Sequence, residues 1–106
     1  MSLTHNAPSL PGQNLVQQGL ADLAQGRVSE AARLVLIAAP RLRRLGIAVP
    51  DRPIHGSWEH DLYACLDERL GAAAHSYYNS LIRRIVSFAR ALEREQSRSA
   101  SLRGAD

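Results

Sequence analysis

Apolar positions recur at helical spacing over most of the chain. The first helix is predicted from Gln13 to Gln25, with Asn14 as its N-cap and Gly26 after its end. Ser29 is predicted to cap a second helix. This helix either kinks at Pro40 or gives way there to a new short helix that begins with the proline.

The longest apolar stripe lies in the C-terminal half, after a loop from Gly46 to Gly56. It runs from Leu62 to Leu92, in a proline-free segment that follows Ser57, another predicted N-cap. Gly71 interrupts this segment without shifting the stripe, so the pattern fits one long helix or two helices hinged at Gly71. We therefore predict an all-α fold, a three- or four-helix bundle with a long C-terminal helix.

The pattern divides the chain into one domain and two tails. Residues 1–12 and 96–106 lack apolar periodicity, so we predict flexible N- and C-terminal tails around a single helical domain at residues 13–95. The 106 residues are 45% hydrophobic but only 5% aromatic. That composition suits a core of Leu, Ile, Val and Ala in which helices pack on helices.

No segment has the pattern of an export signal or a membrane span. Residues 1–12 lack the basic and apolar regions of a secretory signal, and the longest apolar run, Leu34 to Pro40, is too short to cross a bilayer. The single cysteine, Cys65, has no partner for an internal disulfide. We expect a cytoplasmic protein that does not contact a membrane.

The charge pattern leaves two interpretations open. All 13 basic residues are arginines, and the net charge is +3. Arginine binds phosphate well, so one interpretation is an Arg-rich nucleic-acid binder with RNA among its ligands, and the other is a compositional bias without functional meaning. The last helix carries four arginines that lie mostly off its apolar stripe, which favours a solvated face: Arg83, Arg84, Arg90 and Arg94.

The first helical hairpin resembles a tetratricopeptide repeat. The residues that fall at that repeat's spacings are Gly19, Gln25–Gly26, Glu30–Ala31 and Ala38. The match covers about 30 residues and occurs once, whereas a solenoid needs about three repeats to bury its faces. We favour a simple antiparallel hairpin, in which small residues let two helices approach closely.

The candidate catalytic residues lie close together near the middle of the long C-terminal segment. Arg69 is followed, after five intervening residues, by His75, Ser76 and Tyr77. This spacing resembles the motif of the HEPN superfamily, small helical bundles that often act as RNA-cleaving toxins. The resemblance implies a metal-independent ribonuclease in which Arg69 stabilises the scissile phosphate and His75 moves a proton or orients the 2′-hydroxyl. Tyr77 would match a tyrosine that a partner nucleotidyltransferase modifies.

This interpretation depends on the shape of the helix. In an unbroken helix Arg69 and His75 would lie about 120° apart, so they converge only if the helix breaks near Gly71 or if two chains meet. The structural alternative is that Arg69 pairs with a nearby acid and that His75 is a surface or half-buried residue.

A metal site is not expected. The group of His55, His60, Asp61 and Cys65 is close together in sequence, but it has none of the known ligand spacings. A polar helix start and a small buried thiol at Cys65 explain these residues. We therefore predict no metal and no cofactor.

The function we favour is a non-catalytic helical module for protein interaction or oligomerisation. The long stripe is wider than the first two helices are expected to cover, so we predict that a homodimer or a helical protein partner buries the rest. The predicted interface residues are Leu62, Leu66, Tyr77, Leu81, Ile85 and Phe88.

Whether the protein is an enzyme stays open at this point, with the HEPN-like ribonuclease as the alternative and the nucleic-acid binder as a third interpretation. An enzyme requires Arg69 and His75 at a shared pocket. A module requires an exposed apolar groove, and a binder requires its arginines on one face.

Overall fold

The structure, a computed structural model, describes residues 10–54 and 56–104, with side chains up to Ser99. The helices are α1 (Gln13–Ala24), α2 (Glu30–Ile37), α3 (Ala39–Arg44), α4 (Trp58–Leu70) and α5 (Ala74–Gly104), with a 3-10 turn at Gly71–Ala73. No strand occurs within the described ranges. The predicted all-α fold with a long C-terminal helix is therefore confirmed.

The start of α1 is set by packing rather than by a polar cap. Gly12, and not Asn14, is the N-cap, so that prediction is wrong. The φ of Gly12 is 76°, and a Cβ there would lie 2.6 Å from the backbone oxygen of Arg84 in α5. Only glycine combines this conformation with so close an approach, and neither requirement is visible in the local sequence pattern.

The second helix ends before its proline. Ser29 caps α2 as predicted, because its Oγ accepts a hydrogen bond from the Ala32 N–H at 3.1 Å. Pro40 lies in the first turn of the separate helix α3, so the alternative of a new short helix is the correct one. After α3 the Ile47 N–H donates to the Leu42 carbonyl at 3.0 Å, a bond typical of a helix that ends at glycine.

The long C-terminal segment is two helices that fold back on each other. Ser57 caps α4 as predicted, accepting from the His60 N–H at 3.1 Å. Gly71 ends α4 with φ 56° and ψ −122°, a conformation that favours glycine. The ring centroids of Tyr63 and Tyr78 lie 5.4 Å apart, whereas a straight helix would place these residues about 22 Å apart along its axis. The hinged alternative is therefore the one that the structure adopts.

Helix α5 is longer than the apolar stripe suggests. It has 31 residues and continues to Gly104, past Glu95, where the pattern placed the end of the domain. Most of the segment predicted as a C-terminal tail is therefore helical in the structure. Of the predicted N-terminal tail, residues 1–9 lie outside the described residues.

The helices pack in the order α1, α2, α4 and α5, and α5 also contacts α2 and α1. The largest fully buried side chains are aliphatic: Leu34, Val35, Leu42, Leu62 and Leu66. This core agrees with the one expected from a composition poor in aromatic residues. No helix in the described part of the chain is long and apolar enough to cross a membrane.

Candidate functional site

Arg69, the first residue of the predicted catalytic motif, is engaged within the chain. Its guanidinium donates two hydrogen bonds to the Glu30 carboxylate of α2, at 2.7 Å from Nε and 2.8 Å from Nη2. Its Cζ also lies 5.6 Å from the centre of the Tyr77 ring, a cation–π contact. The hydrogen bonds that Arg69 donates to the Glu30 carboxylate raise the pKa of Arg69 above its usual value, so the guanidinium stays charged.

His75 lies on a different side of α5 from Tyr77. The two residues are two positions apart in the helix, which places their side chains about 160° apart around the helix axis. The His75 ring stands edge-on to Tyr63, with centroids 6.3 Å apart, and its Nε2 is 3.2 Å from the amide nitrogen of Asn79. The fold therefore brings Arg69 to Tyr77, and it directs His75 towards other neighbours.

A helix break near Gly71 is present, but within one chain it does not bring Arg69 and His75 together. The two hydrogen bonds to Glu30 engage the donors by which Arg69 would hold a phosphate. No hydrogen bond between Arg69 and His75 occurs among the residues that the structure describes. The pairing of Arg69 with an acid and the exposure of His75 agree with the structural alternative.

The predicted interface stripe belongs to the core of the chain itself. Five of its six residues are no more than 5% exposed, and Tyr77 is 38% exposed. Because α1 and α2 pack against α4 and α5, these side chains are already covered and cannot form the proposed contact. The interface prediction is therefore wrong for five residues: Leu62, Leu66, Leu81, Ile85 and Phe88.

An exposed apolar groove does exist, at a different place. It lies between α1, the end of α3 and α5, and has a volume of about 340 Å³. We call it the α1–α5 groove. Buried Val16 and Phe88 line its base, and five half-buried apolar side chains surround them: Leu10, Leu20, Leu45, Ile47 and Leu92.

The polar residues of the α1–α5 groove are uncharged. Three glutamines line it, and one of them, Gln96, donates a hydrogen bond to the Leu45 carbonyl at 2.7 Å. A smaller groove of about 170 Å³ lies across α5, beside Ile37, Ile82 and Val86, and includes the charged Arg41. The α1–α5 groove is therefore the larger of these two apolar surfaces, and the one without charge.

The arginines divide into paired and unpaired groups. Six of them form ion pairs: Arg27, Arg33, Arg41, Arg43, Arg69 and Arg98. On α5, four exposed arginines form no ion pair within the described part of the chain: Arg83, Arg84, Arg90 and Arg94. Arg84 lies off the row formed by the other three. Those three follow one another at intervals of seven and four residues, so they share one side of the helix.

The cluster considered for metal binding has other roles in the fold. Asp61 accepts a hydrogen bond from Arg33 Nε at 2.6 Å, and Cys65 is half-buried rather than buried. His55 lies outside the described residues. Within the described ranges no group of three or more His, Cys, Asp or Glu is arranged to hold a metal ion.

A buried carboxylate, Asp22, is the polar residue that the sequence pattern did not single out. It accepts hydrogen bonds from Ser29 Oγ at 2.5 Å, Gln18 Nε2 at 2.9 Å and Arg27 Nη2 at 3.1 Å. Gln18 lies in α1, and Arg27 and Ser29 lie in the turn that leads into α2. The cluster therefore ties α1 to the start of α2. Its role is structural.

Comparison of the chain with known protein families, with curated proteins and with solved structures finds no match.

Proposed function

We propose that this protein is a non-catalytic helical interaction module that self-associates through the α1–α5 groove. The observation that carries the proposal is the group of half-buried apolar side chains around this groove. Apolar surface removed from water contributes about 25 cal/mol for each Å². A second copy that covers the groove would supply that burial without any change in the fold of the chain.

Charge favours a second copy at this groove rather than elsewhere. Each chain carries a net charge of +3, which opposes the association of two copies on any face. A contact face without charged residues adds no further local repulsion. The α1–α5 groove has glutamines as its polar residues, whereas the smaller groove includes Arg41. Two identical uncharged grooves can therefore face each other in a symmetric dimer.

The test is the molar mass in solution, measured by light scattering over a wide range of protein concentration. We expect the parent to form a dimer and the variants Leu20→Glu and Ile47→Glu to be monomers. Ile82→Glu, in the smaller groove, is the matched control and should remain a dimer. Circular dichroism of each variant shows whether it has kept its helices.

A parent that is monomeric at every concentration would overturn the self-association. The choice of groove would be wrong if Ile82→Glu separated the dimer while Leu20→Glu and Ile47→Glu left it intact.

The alternative function is a HEPN-like ribonuclease. The two hydrogen bonds between Arg69 and Glu30, and the separation of His75 from Tyr77 around α5, support the interaction module instead. The experiment compares cleavage of a mixed RNA by the parent, by Arg69→Ala and by His75→Ala. We expect no cleavage that depends on both residues. Cleavage by the parent that disappears in both folded variants would replace the module with the nuclease.

A further inference from the structure

Among the side chains that the structure describes, the outer side of α5 has charge of only one sign. Arg83, Arg90 and Arg94 lie within about 40° of one another around the helix, and Ser87 lies between them. We call these four residues the basic face, and all four are exposed. The core residues of α5, such as Ile85, lie on the opposite side of the helix, so the basic face points away from the rest of the protein.

The acidic residues nearest to the basic face do not neutralise it. Glu93 pairs with Arg41 of α3 at 2.9 Å, and Glu95 pairs with Arg98. Glu93 borders Arg90 and Arg94 on one flank of α5 but is turned towards Arg41, and Glu95 lies on the other flank. A solvated helix face usually mixes both signs of charge, whereas this one presents three arginines and no acid.

The basic face offers several separate contacts to a phosphate backbone. Along the axis, Arg83 and Arg90 are about 10 Å apart, and Arg90 and Arg94 are about 6 Å apart. Ser87 supplies a hydroxyl that can donate to a phosphate oxygen, as serines do in nucleic-acid complexes. The basic face contains no aromatic side chain, so it lacks the platform on which the bases of a single strand would stack.

We propose that the basic face of α5 binds the phosphate backbone of a double-stranded nucleic acid without reading its base sequence. This site is independent of the proposed function. The α1–α5 groove uses Phe88 and Leu92, on the side of α5 opposite the basic face, so a dimer would leave both basic faces accessible.

The experiment measures the binding of fluorescent duplexes to the full chain by anisotropy at several salt concentrations. The probes are duplex DNA in two unrelated sequences and duplex RNA, beside a single strand of equal length. The test variant carries Arg83→Gln, Arg90→Gln and Arg94→Gln. The control carries Arg44→Gln, Arg52→Gln and Arg84→Gln, which removes the same charge from exposed arginines that lie off the basic face.

We expect the parent to bind both DNA sequences equally well and the single strand more weakly. The test variant should bind the duplex about tenfold more weakly or worse, and the slope of log affinity against log salt should fall by about 2 to 3. The control should keep most of the affinity and the slope. Duplex RNA that binds as tightly as duplex DNA identifies the shared backbone as the ligand.

Three results would overturn the proposal. The first is no binding by the parent at low salt. The second is an equal loss in the test variant and the control, which would indicate net charge alone. The third is competition by poly-glutamate that equals competition by the duplex, which would assign the basic face to an acidic protein.

Discussion

Asp22 shows how one buried charge can join two helices. Its side chain is 7% exposed, and burial of a carboxylate costs free energy unless hydrogen bonds replace water. Ser29 meets this need, because its hydroxyl donates to Asp22 while it accepts from the Ala32 N–H. The sequence identified Ser29 as a cap, but it could not identify Asp22 as its partner. That pairing depends on how tightly α1 and α2 meet.

The first prediction concerns acid stability. The hydrogen bond from Ser29, with further bonds from Arg27 and Gln18, holds the pKa of Asp22 below its ordinary value. The unfolded chain therefore binds this proton first as the pH falls, and the stability that the Asp22 carboxylate contributes is present above about pH 4 and is lost below it. We expect the parent to be more stable than Asp22→Asn at neutral pH, with a difference that shrinks in acid.

Urea unfolding of both proteins at several pH values measures this difference. Asp51→Asn serves as the control, because that carboxylate is 97% exposed and should show little difference at any pH. A gap between the parent and Asp22→Asn that stays constant down to about pH 3 would contradict the lowered pKa.

The second prediction concerns Gly19, where α1 closely approaches α2. A Cβ at Gly19 would lie 2.5 Å from the Ala31 carbonyl oxygen and 2.6 Å from Val35 Cγ2. Since the backbone of α2 would have to move, we expect Gly19→Ala to lower the free energy of unfolding by about 1 to 3 kcal/mol. Asn14→Ala, on the exposed side of the same helix, should be neutral or slightly stabilising. Equal stability of Gly19→Ala and the parent would show that the approach is not tight.

Helix ends were predictable where a local rule governs them, and unpredictable where packing does. The sequence identified Ser29 and Ser57 because a hydroxyl before an acidic first turn is a local signal. It proposed Asn14 on the same rule and was wrong, because contact between Gly12 and α5 sets that end. At Gly71 the apolar stripe keeps its phase across the break, so periodicity alone could not choose between one helix and two.

The third prediction tests the need for glycine between α4 and α5. With φ 56° and ψ −122°, Gly71 has a backbone that a residue with a Cβ adopts only under strain. We expect Gly71→Ala to cost about 1 to 3 kcal/mol in thermal or urea unfolding, although open space surrounds the site. Ala72→Ser, at the exposed neighbour with a negative φ, is the control and should change little. No loss of stability in Gly71→Ala would mean that the fold does not require this backbone.

For the whole molecule, the sequence could show that a long apolar stripe exists but could not show what covers it. The stripe predicted as an interface is buried by the chain's own helices, and Tyr77 is its exposed member. The exposed apolar surface comes instead from residues far apart in sequence, such as Leu20, Ile47 and Leu92. No short segment of the sequence contains all three residues, so the α1–α5 groove arises only when the chain folds.

The candidate catalytic residues show the converse case, in which residues close in sequence are separated by the fold. Arg69, His75 and Tyr77 are close in sequence, yet the fold pairs Arg69 with Glu30, at a distance of 39 residues along the chain. The break at Gly71 then places Tyr77 near Arg69 and leaves His75 beside Tyr63. Proximity in sequence suggested a catalytic group. The tertiary contacts that separate its members within one chain carry no local sequence signal.

The last prediction follows from self-association. If only the folded chain dimerises, mass action stabilises it as the protein concentration rises, by about 1.4 kcal/mol for each tenfold increase in a partner present well above its Kd. We therefore expect the melting temperature of the parent to increase with protein concentration. The melting temperature of Ile47→Glu should not depend on concentration, and Ile82→Glu should behave like the parent. A parent whose melting temperature is the same at every concentration would contradict the dimer, and would leave the α1–α5 groove exposed to solvent in the native state.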